Sequence, residues 1–374
     1  MVNNHASSKP AIKNPVRPVL LVDRDTVKDY ATFLRHLFVG LAEQPYPAAI
    51  ICPLDAQPDS VVCPSVEVIP HPIFKAPLFR LQNRRAVLAK LVKFKPTVLH
   101  SFGPGKARLT KHLSAQLDIP YVLTFNSLRT RLFRFLVSPD HCAALIASSN
   151  AICEHLRHSR PRFTDRISRI NIGVFVEDTC ACFAKPGRIT SMVVAQRLDN
   201  PLDFEPLLSA VKHLAIDGYE FVLAIIGLGR AAKKLYEMIK ALGLSQIVTI
   251  IGDIHPLRSV FAGSDIFILP QPSIDFNPCL IEAMSTGVAV AACHDGADDL
   301  LVEDRTAVFF EPNDELSIYS CLQGLLDKRE FARKIALAAQ TYLKQHHSVT
   351  KMTTSLVKTY RDAQKWYKKS PNNQ

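Results

Sequence analysis

No run of this 374-residue chain approaches the roughly 18 consecutive apolar residues that a membrane-crossing helix needs. Residues 1–14 are polar and hold no apolar h-region, so a signal peptide is not expected and residues 1–16 are assigned to a disordered tail. The nine cysteines are odd in number and share no repeated spacing, which argues against a disulfide framework. Cys180-Ala181-Cys182 is too tight for a zinc knuckle and has no second pair nearby. These absences point to a cytoplasmic chain with reduced thiols. Internal repeats and low-complexity runs are lacking too, which removes solenoids and tails of biased composition.

The most pointed absence is of acid. Glu67 and Asp118 bracket a stretch without a single carboxylate, while Lys75, Arg80, Arg84, Arg85, Lys90, Lys93, Lys95, Lys106, Arg108 and Lys111 lie within it. Much of the formal net charge of +11 is therefore local. Such a stretch is either a set of solvated helix faces or a surface for an anionic partner: a membrane, a phosphorylated acceptor or nucleic acid. Phe74, Leu78, Phe79 and Leu81 interleave with the bases, which suits an amphipathic segment on anionic lipid. No nucleic-acid-binding module accompanies the charge, so nucleic acid is not an expected partner. The expected location is cytoplasmic, with a peripheral place on the inner face of the membrane.

What is present is alternation. The length suits two cores, and 48% hydrophobic with 21% charged residues is ordinary for a folded protein. Apolar strand runs at residues 18–22, 48–52, 66–69, 97–100, 121–125, 143–147 and 167–172 are separated by helical patterns, including 26–43, 76–94, 106–117 and 128–137. Thr26 with Asp29 reads as a capping box for the first helix. The pattern fails from Glu177 to Arg188, where a linker is expected, and restarts at Ile189. The predicted fold class is α/β, with two Rossmann-like doubly wound domains facing a cleft. The domains are assigned to residues 17–178 and 188–346, with residues 347–374 as a helix packing back on the first.

The second half centres on one stretch. Ile266 to Leu269 reads as a buried strand, and residues 271–277 as a polar loop. Asn277 and Pro278 are an N-cap and a first helical residue, and Gly287 is a C′ stop. A helix start is thereby placed at the carboxyl edge of a parallel sheet, where free N–H groups favour anions. Glu282 lies on that helix.

In order through Gln196-Arg197-Leu198, Ile225-Ile226-Gly227-Leu228-Gly229, Ile251-Gly252, Glu282-Ala283-Met284-Ser285-Thr286-Gly287 and Gly296 to Leu300, the chain resembles the family 4 glycosyltransferases of the GT-B fold. The resemblance implies a retaining hexosyltransferase that moves a sugar from a nucleotide-diphosphate donor to a glycan, lipid or small-molecule acceptor, with no cofactor and no metal. It places Arg197 on the leaving diphosphate, with the N–H groups of Cys279 and Leu280 beside it. Glu282 falls on the ribose hydroxyls, a task suited to a carboxylate with two acceptor oxygens. Gly227, Gly252, Phe276 and Asn277 fall on the donor, and His100 faces the sugar and acceptor.

The departures from the family pattern are specific. Leu202 stands where the family has a lysine, and Ile274 where it has its first glutamate; Asp275, one residue on, is the candidate replacement. Asn126 occupies a common histidine position, and Asp23-Arg24-Asp25 replaces a glycine pair, with Arg24 the candidate for restoring charge. These changes leave two readings open: an active transferase, or a non-catalytic relative that binds a sugar or a partner. A dinucleotide-binding reading of Gly227-Leu228-Gly229 lacks the acid at the next strand end. Asp298 and Asp299 are expected to order a helix start rather than act as acid and base, and His294 to be an exposed loop residue.

Overall fold

The computed structural model describes residues 15–44, 46–56, 58, 61–72, 79–129, 137–252, 254, 256–293, 297 and 299–369. Two parallel sheets organise them. The first contains β1 (Pro18–Leu21), β2 (Ala48–Cys52), β3 (Val66–Pro70), β4 (Val98–Phe102), β5 (Tyr121–Phe125), β6 (Cys142–Ala147) and β7 (Ile167–Arg169), in the order β3-β2-β1-β4-β5-β6-β7. The second contains β8 (Thr190–Ala195), β9 (Phe221–Ile226), β10 (Val248–Ile251), β11 (Ile266–Leu269), β12 (Ala289–Cys293) and β13 (Val308–Phe310), in the order β10-β9-β8-β11-β12-β13. Strands such as β1, β2, β11 and β12 are buried along their whole length because helices cover both faces of a parallel sheet, hence their unbroken apolar runs. Strand order reverses beside β1 and beside β8, and each reversal opens a crevice at the carboxyl ends of the strands.

The helices of the first unit are α1 (Arg24–Asp29), α2 (Ala31–Glu43), α3 (Arg80–Phe94), α4 (Ala107–Leu117) and α5 (Asn150–Ser159). Those of the second are α6 (Glu205–Ile216), α7 (Ala232–Ala241), α8 (Leu257–Ala262), α9 (Pro278–Thr286), α10 (Glu315–Asp327) and α11 (Arg329–His346). A last helix, α12 (Val349–Lys369), lies against α2, β4, β5 and β6 of the first unit. Tyr360 meets His100 at 2.7 Å, Gln364 donates to Thr97 at 2.7 Å, and the Tyr367 hydroxyl donates to Asp118 at 2.7 Å. No disulfide joins any of the nine cysteines.

The sequence reading of the first helix needs correction. Its cap is Asp23, whose Oδ1 accepts from Thr26 N at 2.8 Å, and the helix breaks at Tyr30 instead of running to residue 43. Tyr30 packs edge-on against Phe102 and donates its hydroxyl to the Phe276 carbonyl at 3.0 Å, a contact with the other domain that local sequence does not encode. The basic helix expected at 128–137 falls largely outside the described residues, and of the helix expected from residue 76 the described part begins at Arg80. The stretch 177–188 is bound along the second unit: Cys182 N donates to Gly287 O at 2.8 Å, and Phe183 N to Asp265 Oδ1 at 2.8 Å.

Candidate functional site

Strand β11 delivers the chain to the carboxyl edge of the second sheet, and α9 carries it back. Asn277 is extended, at φ −93° and ψ 105°, and its Oδ1 accepts from Cys279 N at 2.9 Å and Leu280 N at 3.2 Å. At the far end Gly287 takes φ 77°, and a Cβ there would lie 2.7 Å from the Cys180 Cα. Asn277, Pro278 and Gly287 therefore set the length of α9. They also correct one expectation. The two N–H groups assigned to a diphosphate are occupied by the Asn277 side chain, so an anion at this helix start would compete with the cap.

Glu282 lies on α9 and is only 7% exposed. Its Oε1 accepts from the Thr32 hydroxyl at 3.0 Å, so the second domain's carboxylate is engaged by the first domain's α2. Arg197, by contrast, stands in the open just after β8. Its Nε donates to Asp199 Oδ2 at 3.0 Å, and Asp199, followed by Asp29 and Asp25 of the first domain, raises its pKa above the ordinary arginine value. The Asp23-Arg24-Asp25 segment thus brings negative charge to this arginine. Arg24 does not offset it, because its guanidinium faces Asp55 at 3.7 Å. Leu202 is 62% exposed and Ile274 41% exposed, so the lysine and glutamate positions of the family present hydrocarbon to solvent.

One cation was missed from the sequence. Arg230 Nε donates to the Asp199 carbonyl at 3.2 Å, so Asp199 gathers two guanidinium groups, one from each of two neighbouring strand exits. The signal available was its place directly after Gly227-Leu228-Gly229. Those glycines permit the approach: a Cβ on Gly227 would lie 1.9 Å from Gln196 O, and one on Gly229 2.0 Å from Leu198 O. Gly252 has no such constraint, since its Cβ would meet Leu228 Cδ2 at an ordinary 3.9 Å.

The loop between β11 and α9 is tied to the first domain through its backbone. Ser127 and Asp275 form an antiparallel bridge, Leu128 N donates to Ile274 O at 3.0 Å, and Phe276 N to Asn126 O at 2.7 Å. Both backbone groups of Phe276 are thereby committed across the cleft, because its carbonyl accepts from Tyr30. Asp275 is exposed and close enough to Tyr30 for its charge, after burial, to raise the phenol's pKa. Farther along the cleft, Asp299 Oδ2 accepts from Asn150 N at 2.5 Å and from Arg169 Nη1 at 3.0 Å. It orders a helix start, that of α5 in the other domain. His294, Gly296 and Asp298 lie outside the described residues.

His100 is buried, beside a small cavity that Phe33, Phe102 and Ser148 also line. It is 1% exposed, with Nδ1 at 2.7 Å from the Tyr360 hydroxyl and Nε2 at 2.7 Å from Thr124 Oγ1. Both ring nitrogens are used between β4, β5 and α12, which corrects its assignment to the sugar and acceptor. Burial lowers its pKa to about 3, and burial with Arg258 lowers that of His36 to about 4. Both rings are neutral in the folded chain, whereas unfolded histidines take up protons below pH 6.5. The stability this supplies is complete above pH 6.5 and is lost as pH falls towards the folded values. The unfolding free energy measured from pH 7 to 5 should therefore decline, by up to about 1.4 kcal/mol per pH unit per histidine. His100→Gln should make the decline shallower; an identical slope in that variant would refute the assignment.

Residues 184–342 match the family Glycosyl transferases group 1, and residues 31–178 match Glycosyltransferase Family 4. The sulfoquinovosyl transferase of Arabidopsis thaliana is 24% identical over 332 residues, covering 80% of this chain and 61% of its own length. The chain thus spans about three fifths of that curated relative. A glycosyltransferase from Rickettsia africae superposes with a TM-score of 0.76 at 16% identity, over 94% of this chain and 99% of that one. HepE of Anabaena in complex with UDP-glucose gives 0.71 at 16% identity, over 92% and 99%. Sucrose-phosphate synthase of Thermosynechococcus elongatus gives 0.70 at 16% identity, over 92% and 98%. At these identities the structures establish the shared fold. The chain therefore has the GT-B fold of these structures, with a first half similar to Glycosyltransferase Family 4 and a second half similar to Glycosyl transferases group 1.

Proposed function

We propose that the chain is a retaining hexosyltransferase that uses a nucleotide-diphosphate sugar. The observation that supports this reading is that Arg197 and Arg230 meet at Asp199, just past β8 and β9, beside the switch point of the second sheet, with Glu282 on the helix that follows β11. A carboxylate suits ribose hydroxyls, and paired guanidinium groups suit a leaving diphosphate. Arg230 replaces the charge that Leu202 lacks, and Asp275 is the carboxylate left to act beside Ile274. The donors bound by related folds support the choice, since HepE was crystallised with UDP and with UDP-glucose. The chemistry calls for no metal or cofactor, because the protein's own cations meet the developing charge.

A second reading, a non-catalytic sugar- or partner-binding relative, is favoured by the exposed hydrocarbon at Leu202 and Ile274 and by the acids opposite Arg197. Incubation of the full chain with a panel of nucleotide sugars and glycan or lipid acceptors separates the two. Sugar transfer supports the transferase; saturable binding without transfer supports the binder.

The acceptor side is the basic domain. Leu81 and Val92 of α3 are exposed among Arg84, Arg85, Lys90 and Lys93, a mixture suited to an anionic bilayer bearing a lipid-linked acceptor. Among the described residues no helix is long and apolar enough to cross a membrane. Peripheral binding to vesicles containing phosphatidylglycerol is expected, falling steeply between low and high salt. Binding that ignores salt, or its absence at low salt, would remove the membrane from this proposal.

A further inference from the structure

The first sheet has a switch point of its own, between β1 and β4, and its carboxyl edge gathers cations that the donor side does not use. After β4 the chain turns through Gly103-Pro104-Gly105, and α4 starts directly behind Lys106. The turn packs on the exit of β1: a Cβ on Gly105 would lie 1.6 Å from Asp23 Oδ2. No side-chain hydrogen bond caps α4, whose positive end lies at the same edge. Lys106 Nζ donates to the His71 carbonyl at 3.3 Å, which ties the β4 exit to the end of β3. The His71 ring is half-buried, and its Nδ1 is enclosed without a hydrogen-bonding partner. Burial, then the charges of Lys106 and Arg84, lower its pKa to about 4, so three basic side chains lie together and the ring is neutral. Arg84 is exposed on α3, and after burial it also lowers the pKa of His112 on α4. The acid beside Lys106 is Asp23, whose Oδ1 is already engaged by Thr26 N. A buried nitrogen left unpaired is unfavourable, and a ligand that pairs with it removes that cost.

These groups narrow the ligand. Lys106, Arg84, an imidazole nitrogen without a partner and a helix N-terminus all favour an anion, and Asp23 offsets only one of the two cations. A phosphate group has more charge and more acceptor oxygens than a carboxylate, so it engages more of these donors at once. We propose that this edge binds a phosphate group carried by the acceptor, held by Lys106 and Arg84, with His71 Nδ1 donating to it as well. Lys106 uses the N–H groups that the His71 carbonyl leaves free, and the neutral imidazole places its proton on Nδ1. The phosphate belongs either to a soluble sugar phosphate or to a lipid headgroup. Its role as part of an acceptor rests on the transferase reading; the anion site itself stands apart from the donor groups.

Calorimetric titration of the full chain with inorganic phosphate and with glucose 6-phosphate, both in the presence of UDP to fill the donor side, tests the site. Wild type should bind phosphate. Lys106→Met should weaken it by about tenfold or more, the worth of a charge-assisted hydrogen bond, and His71→Phe by about three- to tenfold. Arg84→Gln, on an exposed helix face, is measured in the same way and supplies the answer where the other two do not fold. Glucose 6-phosphate binding more tightly than phosphate, with the gain over glucose lost in Lys106→Met, identifies a soluble sugar phosphate. Preference for phosphatidylcholine vesicles bearing phosphatidic acid over those bearing phosphatidylglycerol, lost in Lys106→Met, identifies a lipid headgroup. Folded variants that bind phosphate as wild type does, or a wild-type chain that binds neither phosphate nor phosphatidic acid, overturn the site. A wild-type chain that binds phosphate but not UDP keeps the site and removes the donor reading; one that binds UDP but no phosphate group does the reverse.

Discussion

Glu282→Ala is expected to weaken UDP binding by about 100-fold or more while the protein stays folded. A carboxylate that accepts two ribose hydroxyls makes two hydrogen bonds to a charged group, each worth roughly 1.5–3 kcal/mol. Their loss corresponds to at least two decades in Kd. The fold should tolerate the change because it removes a buried carboxylate, although the Thr32 hydroxyl loses its acceptor. Glu282→Gln should fall between, since it keeps the shape and one acceptor. Calorimetry with UDP, paired with a thermal melt, measures both quantities. Unchanged affinity in a folded Glu282→Ala protein would remove this residue from the donor site and the proposed function with it.

Arg197→Ala is expected to slow sugar transfer by about 100-fold or more, the usual consequence of removing one group that stabilises developing charge. Its effect on stability should be small. The side chain is 74% exposed and its partner Asp199 is 51% exposed, and such a pair contributes about 1 kcal/mol or less. Arg230→Ala should slow transfer as well, and the double variant should show coupling rather than simple addition, because both guanidinium groups converge on Asp199. Single-turnover rates at saturating donor separate this from donor affinity. Equal rates for wild type and Arg197→Ala would place the leaving diphosphate elsewhere in the cleft.

The stretch from Ser264 to Ala292 was legible because its determinants are local. A short apolar run, Asn277, Pro278 and Gly287 act within one or two turns of the backbone they shape. His100 misled for the opposite reason. A histidine at the end of a buried strand has the same sequence whether it faces a cleft or a helix from the far end of the chain, and here Tyr360 lies 260 residues away. The surroundings of Tyr30 were equally hidden, since its hydroxyl meets a carbonyl in the other domain.

The sequence by itself determined the repeated βα alternation, its two halves, the helix that carries Glu282 and the exit that carries Arg197, because strand runs, caps and glycine turns are short-range devices. Tertiary structure alone decided what surrounds those groups. It placed Asp25 and Asp29 opposite Arg197, gave Arg230 to the same aspartate, occupied the Cys279 and Leu280 donors, and set Thr32 and His36 against Glu282. Charge acts through space between chains of atoms far apart in sequence, so the cleft's electrostatics could be read only once the two domains faced each other.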